Sequence, residues 1–117
     1  MTIKIIRDKI TLTELKEIAN ETYGEMIKAV ADIKRDVIAI GGELHSDAEA
    51  ELIKDGSNQK DVWGFNIYVD GPFDEALEYT SLINIRPRDH NPALEIKLPE
   101  VRAKVLELTK ERVDWSR

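Results

Sequence analysis

The segment richest in reactive side chains is GGELHSDAE at residues 41–49, between a predicted strand and a predicted helix. Its two glycines permit positive φ angles or the close approach of a ligand to the backbone. His45 titrates near neutral pH when unperturbed, so it could act as a general base. With Asp47 and either Glu43 or Glu49 it could instead hold a metal ion, because imidazole and carboxylate ligands suit zinc, manganese or iron. The ordinary alternative is that these residues only end a strand and cap a helix.

A second polar segment covers residues 84–90. Asn84 and Arg86 fall on the same side of a predicted strand over residues 79–86, among side chains suited to burial. Arg86 presents a planar guanidinium that fits a carboxylate or phosphate and could stabilise developing negative charge. Arg88 follows in a loop and is a candidate ligand-binding residue. The alternative is an internal ion pair of Arg86 that fixes the register of the strand.

A third segment, residues 56–66, adds two candidate ligand-binding residues. Trp63 could contact a ligand, although tryptophan more often belongs to the core or covers a site. Gly64 lies inside a predicted strand, which indicates a bulge or a close backbone approach. Asn66 faces away from the apolar side of that strand, and we expect it to share a surface with Asn84.

Three motifs from these segments resemble the signature of a small prokaryotic family of uncharacterised domains. They are GGELHxDxE (41–49), GSxQxxxWGxN (56–66) and SLINIRP (81–87). The resemblance runs from Ile3 to Val113. It implies that the three segments belong together, and it implies no activity, cofactor or site residue, because the family has none assigned.

Apolar periodicity predicts how these segments are positioned, in a single α+β domain over residues 1–117. We expect a mixed, mainly antiparallel sheet of about five strands, in β-α-β-β-α-β-β-α order, with the helices packed largely on one face. The predicted elements are a strand at 2–6, a helix at 11–22, a hairpin at 27–40, a helix from Ser46 to Gly56, strands at 62–69 and 79–86, and a helix from Pro99.

Local signals fix several of these boundaries. Capping-box patterns begin at Thr11 and at Ser46, each with a glutamate three residues later. Residues 27–40 would also fit one face of a helix, but the polar triplet at 34–36 between two apolar runs favours a hairpin. An exposed edge of that hairpin could pair with a second copy of the chain, giving a homodimer.

Composition excludes several classes of function. The 117 residues carry 17 basic and 23 acidic side chains, a net charge of -6, which argues against extended nucleic-acid binding. The chain has no cysteine, so it has no disulfide, thiolate zinc site or cysteine nucleophile. No apolar run is long enough for a membrane span and no signal-peptide core is evident, so we expect a cytoplasmic protein without membrane contact.

Two functions remain open, and the sequence does not decide whether the protein is an enzyme or which cofactor it uses. The favoured hypothesis is a ligand-binding or assembly module with a polar site built from residues 43–49, 63–66 and 84–90, which could take a small anionic ligand. The alternative is a metal-assisted or histidine-based hydrolase or lyase that acts on an anionic or phosphodiester substrate. It requires His45 and Arg86 to converge on one site, with Glu43 or Asp47 orienting the imidazole or sharing a metal.

Overall fold

The computed structural model describes residues 1–116, which form one α+β domain built on a five-stranded antiparallel sheet. The predicted fold class is therefore confirmed. In chain order the elements are β1 (Ile3–Ile6), β2 (Ile10–Thr11), α1 (Leu12–Ala19), β3 (Met26–Asp32), β4 (Val37–Gly41), α2 (His45–Lys54), β5 (Val62–Tyr68), β6 (Leu77–Glu78), α3 (Pro99–Arg112) and β7 (Val113–Asp114). The spatial order of the sheet is β1-β4-β3-β5-β6, and β2 pairs with β7 in a separate parallel ribbon.

The predicted hairpin is present as β3 and β4, but it lies inside the sheet. β3 pairs with both β4 and β5, and β4 pairs with both β3 and β1. The expectation of a free edge over residues 27–40 is therefore wrong. The hairpin is not an edge of the sheet, because its strands pair with β1 and β5 on their outer sides.

Helices cover both faces of the sheet. α1 and α3 contribute Leu15, Val105 and their neighbours to the larger apolar cluster, which contains Phe65 of β5. α2 packs Ala48 and Leu52 against the opposite face, in a smaller cluster with Val62. Because successive strand residues face opposite sides, the even-numbered residues of β5 point toward α2.

The two capping predictions had different outcomes. Thr11 caps α1, since its hydroxyl accepts a hydrogen bond from the Glu14 backbone N–H at 3.1 Å. The prediction that Ser46 caps the next helix is wrong. α2 begins at His45 after Leu44, whose side chain makes no capping hydrogen bond. Its start is fixed instead by the buried His45 side chain, which bonds to β5.

The predicted strand over residues 79–86 is also wrong. Sheet pairing ends with the two residues of β6, and the chain continues through short 3-10 turns at Leu82–Asn84 and Pro87–Asp89. The Ser81 hydroxyl accepts from the Ile83 N–H and so starts the first turn. Pro87 has no N–H to give to a ladder and begins the second turn. We call residues 79–91 the edge loop.

Of the helices in residues 1–116, none is long and apolar enough to cross a membrane.

Candidate functional site

A cavity of about 410 Å³ lies where the first turn of α2 meets β5 and the edge loop. We call it the β5 cavity. Its lining residues are Lys28, Leu44, His45, Ser46, Asn66, Thr80, Ser81, Leu82, Ile83 and Leu94. The polar groups lie on the sheet, on α2 and on Thr80 and Ser81 of the edge loop, and the three lining leucines are exposed. A few polar groups within a mainly apolar cavity are typical of small-molecule sites.

Asn66 supplies a buried polar atom with no partner. Its side-chain nitrogen donates to a carboxylate oxygen of Glu78 at 2.8 Å, which orients the amide because a carboxylate only accepts. The residue is 6% exposed, and its Oδ1 atom has no hydrogen-bond partner among the residues described. Leaving a buried acceptor unpaired costs about 1–3 kcal/mol. Asn66 lines the β5 cavity, so the unpaired acceptor belongs to a residue of the cavity wall.

His45 contributes a neutral imidazole. Its Nε2 lies 2.8 Å from the backbone oxygen of Phe65, and because a carbonyl only accepts, Nε2 carries the proton. Burial and the nearby charge of Lys28 lower the pKa of His45 to about 4, although the hydrogen bond to Phe65 and the neighbouring side-chain amide of Asn66 oppose this shift. At neutral pH the ring is uncharged, and its Nδ1 atom is left with a lone pair as a second acceptor.

Lys28 brings a positive charge to the lining of the cavity. It lies directly opposite Asn66 in the pairing of β3 with β5, and among the described lining residues it alone is charged. Its ammonium lies 5.4 Å from the centre of the Tyr23 ring. The first turn of α2 adds partial positive charge, because the first N–H groups of a helix lack intrahelical acceptors.

The acidic candidates lie outside the β5 cavity. Glu43 and Asp47 are exposed on either side of His45, and the backbone oxygen of Glu43 accepts a hydrogen bond from the Tyr23 hydroxyl. Glu49 is half-buried, and burial raises the pKa of its carboxyl group against the opposing charge of Arg86. Within residues 1–116, no three His, Cys, Asp or Glu side chains come together as a metal site.

Asn84 has a structural partner in β5. Its side chain accepts from the Gly64 N–H at 2.8 Å, and it donates to the Gly64 oxygen at 2.9 Å and to the Leu94 oxygen at 3.1 Å. The amide thus replaces a neighbouring strand at this edge of the sheet. Gly64 is required here, because an added Cβ would lie 2.6 Å from Ser81. Asn66 and Asn84 therefore do not share a ligand surface.

Arg86 and Trp63 cover the same edge of β5 nearer to the start of the strand. Arg86 donates to the backbone oxygens of Gln59, at 2.8 Å, and of Val62, and its guanidinium stacks 3.9 Å from the Trp63 ring centre. Burial lowers the pKa of Arg86. Arg86 therefore contacts backbone oxygens and the Trp63 ring, in place of the internal ion pair that the sequence allowed.

His45 and Arg86 line different cavities. Arg86 and Arg88 belong to a separate depression with Gln59, Lys60, Pro87 and Asp89. The structure thus brings together His45 and Asn66, and it does not bring the Arg86 guanidinium to them.

Sequence reasoning missed Lys28 and the edge-loop residues of the β5 cavity. Lys28 could have been found only from the strand register that sets it opposite Asn66. The sequence pattern places Leu82 and Ile83 in a strand that does not form, so it does not reveal their position at the cavity.

Comparison with known proteins gives a family and no function. The family model described as Protein of unknown function (DUF5674) matches residues 4–112, which include every residue that lines the β5 cavity. No curated protein matches the chain, and no solved structure matches it. The functional argument therefore depends on the geometry of the chain itself.

Proposed function

The chain belongs to the family described as Protein of unknown function (DUF5674), and we propose that it is a ligand-binding module. Its β5 cavity takes a small molecule with an apolar body and a hydrogen-bond donor at one end. The donor bonds to Asn66, and the apolar body lies against the leucines at the opening.

The unpaired Oδ1 of Asn66 is the observation that carries this proposal. Asn84 and Asn91 are also buried, but each has hydrogen bonds at both its oxygen and its nitrogen. Asn66 has a partner only at its nitrogen. Buried polar groups are nearly always paired, so an unpaired acceptor on a residue that lines a cavity supports a binding site.

Exposed leucines at the opening support the same proposal. Leu82 is 77% exposed and Leu44 is 59% exposed, and Leu94 lies beside them. Covering apolar surface is favourable by about 25 cal/mol per Å², so a ligand that spans these side chains gains affinity from their burial. Grouped exposed apolar side chains of this kind mark binding surfaces.

The geometry favours binding over the hydrolase alternative. A general base works best when its pKa lies near the operating pH, and that of His45 is lowered to about 4. Arg86, the candidate for stabilising negative charge, donates instead to backbone oxygens that hold the edge loop.

The test uses 4-methylpentanamide, a neutral probe with a branched apolar body and an N–H donor. We expect saturable binding by ligand-observed NMR, and we expect Leu82→Gln to weaken it about three- to tenfold through the loss of apolar contact. Leu82 is exposed, so this substitution leaves the core intact.

Ile53→Gln is the matched control, because Ile53 is an exposed apolar residue of α2 outside the cavity lining. It should bind the probe as the unmodified protein does. No saturable binding, or equal weakening by both substitutions, would contradict the proposal.

A further inference from the structure

The charge of the β5 cavity has no counter-charge inside it. Lys28 forms no ion pair with any carboxylate in residues 1–116, and none of the described lining residues is acidic. The first turn of α2, which lines the same cavity, has no side-chain cap. A half-buried cation next to an uncapped helix N-terminus favours an anionic group in the ligand.

The unpaired oxygen of Asn66 adds a second requirement on the ligand, at the strand position opposite Lys28. Lys28 and Asn66 are directly opposite on β3 and β5, and the Cβ atoms of such pairs are about 4.5–5.5 Å apart. Asn66 needs a donor, whereas Lys28 and the helix N-terminus need an acceptor with negative charge. A ligand that satisfies both residues carries a donor and an anionic group close to each other.

Given the proposed function, on which this inference rests, we propose that the β5 cavity binds a carboxylate with an adjacent amide N–H and an apolar side chain. The carboxylate lies toward Lys28 and the first turn of α2, the N–H donates to Asn66, and the side chain lies against Leu44 and Leu82. This is the chemistry of an N-acylated apolar amino acid, which a free small molecule and the carboxyl terminus of a peptide share.

The neutral ring of His45 fits this ligand. An imidazole with its proton on Nε2 presents an unprotonated Nδ1, which adds a second acceptor near the amide N–H. Mutual repulsion with Lys28 is avoided because the ring stays uncharged at neutral pH.

Protein-observed NMR titrations of the full chain with four probes test the inference. N-acetyl-L-leucine carries all three groups, N-acetyl-L-leucinamide lacks the carboxylate, 4-methylpentanoate lacks the N–H, and 4-methylpentanamide lacks the carboxylate and the N-acetyl group. We expect N-acetyl-L-leucine to bind tightest, about tenfold or more above N-acetyl-L-leucinamide, since hydrogen bonds to charged groups are the stronger ones.

Lys28→Met should reduce that acid-over-amide ratio to about threefold or less, because only the anion depends strongly on the ammonium. Binding of N-acetyl-L-leucinamide to this variant also verifies that the cavity has folded. Lys34→Met removes an exposed lysine of the β3–β4 turn, and it should leave the ratio unchanged.

The outcomes separate this inference from the proposed function. Equal binding of acid and amide, or a preference that survives Lys28→Met, overturns the inference while the ligand-binding function stands. Failure of all four probes to bind overturns both. An acetylated hexapeptide ending in leucine distinguishes the two sources: binding that is lost when its terminus is amidated identifies a peptide terminus, and binding of N-acetyl-L-leucine alone identifies a free small molecule.

Discussion

Two asparagines near the same edge of β5 differ in how their hydrogen bonds are completed. Asn84 is saturated by backbone groups and behaves as part of the fold. Asn66 lies opposite Lys28 with its oxygen unpaired, so it is the residue available to a ligand. Residue type alone did not distinguish them, because both amides have the same donors and acceptors and only their neighbours differ.

His45 should make the stability of the protein depend on pH. Its pKa is about 4 in the folded chain, whereas the ordinary pKa of a histidine is 6.5, so the unfolded chain binds the proton first as pH falls. Stability is fully present above about pH 6.5 and is lost progressively down to pH 4. At 1.36 kcal/mol for each pKa unit, the loss is roughly 3 kcal/mol.

His45→Gln removes this titration and keeps an N–H that can donate to Phe65. Urea unfolding at pH 7 and pH 4.5 should show a loss of stability in the unmodified protein that is about 2–3 kcal/mol larger than in the variant. His90→Gln is the control, because His90 is exposed and the substitution should leave the pH dependence intact. The same pH dependence in all three proteins would show that His45 is not held neutral by burial.

At the scale of elements, side chains of the edge loop make hydrogen bonds to the backbone of β5 that a neighbouring strand would otherwise make. Asn84 pairs with both backbone groups of Gly64, and Arg86 covers the oxygen of Val62 and the ring of Trp63. This arrangement explains why the WG and SLINIRP motifs occur in one chain: each supplies one side of the same contact. It also holds Leu82 and Ile83 at the β5 cavity.

Asn84→Ala should destabilise the protein by about 3 kcal/mol, because it leaves the N–H and C=O of Gly64 unpaired in the interior. The measurement is the free energy of unfolding from urea titration. Asn58→Ala, at an exposed asparagine whose side chain makes no capping hydrogen bond, should change it by less than about 0.5 kcal/mol. A cost below about 1 kcal/mol for Asn84→Ala would mean that the edge loop is held by its other contacts.

At the scale of the whole molecule, the larger apolar core and the β5 cavity lie on opposite faces of the sheet. α1 and α3 bury the larger apolar cluster on one face, and the β5 cavity opens on the face of α2. The strands that carry Lys28 and Asn66 are both interior strands of the sheet. A site built on such strands is positioned more precisely than one on loops.

The sequence predicted the fold better than the site. Apolar periodicity and the Thr11 cap give α1, the hairpin and β5, because these elements are decided by local burial patterns. The edge loop could not be predicted, since its conformation depends on Asn84 reaching a glycine twenty residues earlier. His45 and Asn66 can be predicted as candidates because residue type and local spacing identify them. Lys28 cannot, because its place at the site depends on the strand register.

The most direct test of the central claim is the side-chain amide signal of Asn66 in a ¹H–¹⁵N NMR titration with 4-methylpentanamide. We predict that the Asn66 signal shifts with the bound fraction, whereas those of Asn84 and Asn91 stay in place because their hydrogen bonds are already complete. Binding of the probe with the Asn66 signal unmoved, or with all three signals moving alike, would contradict the assignment of the β5 cavity as the ligand site.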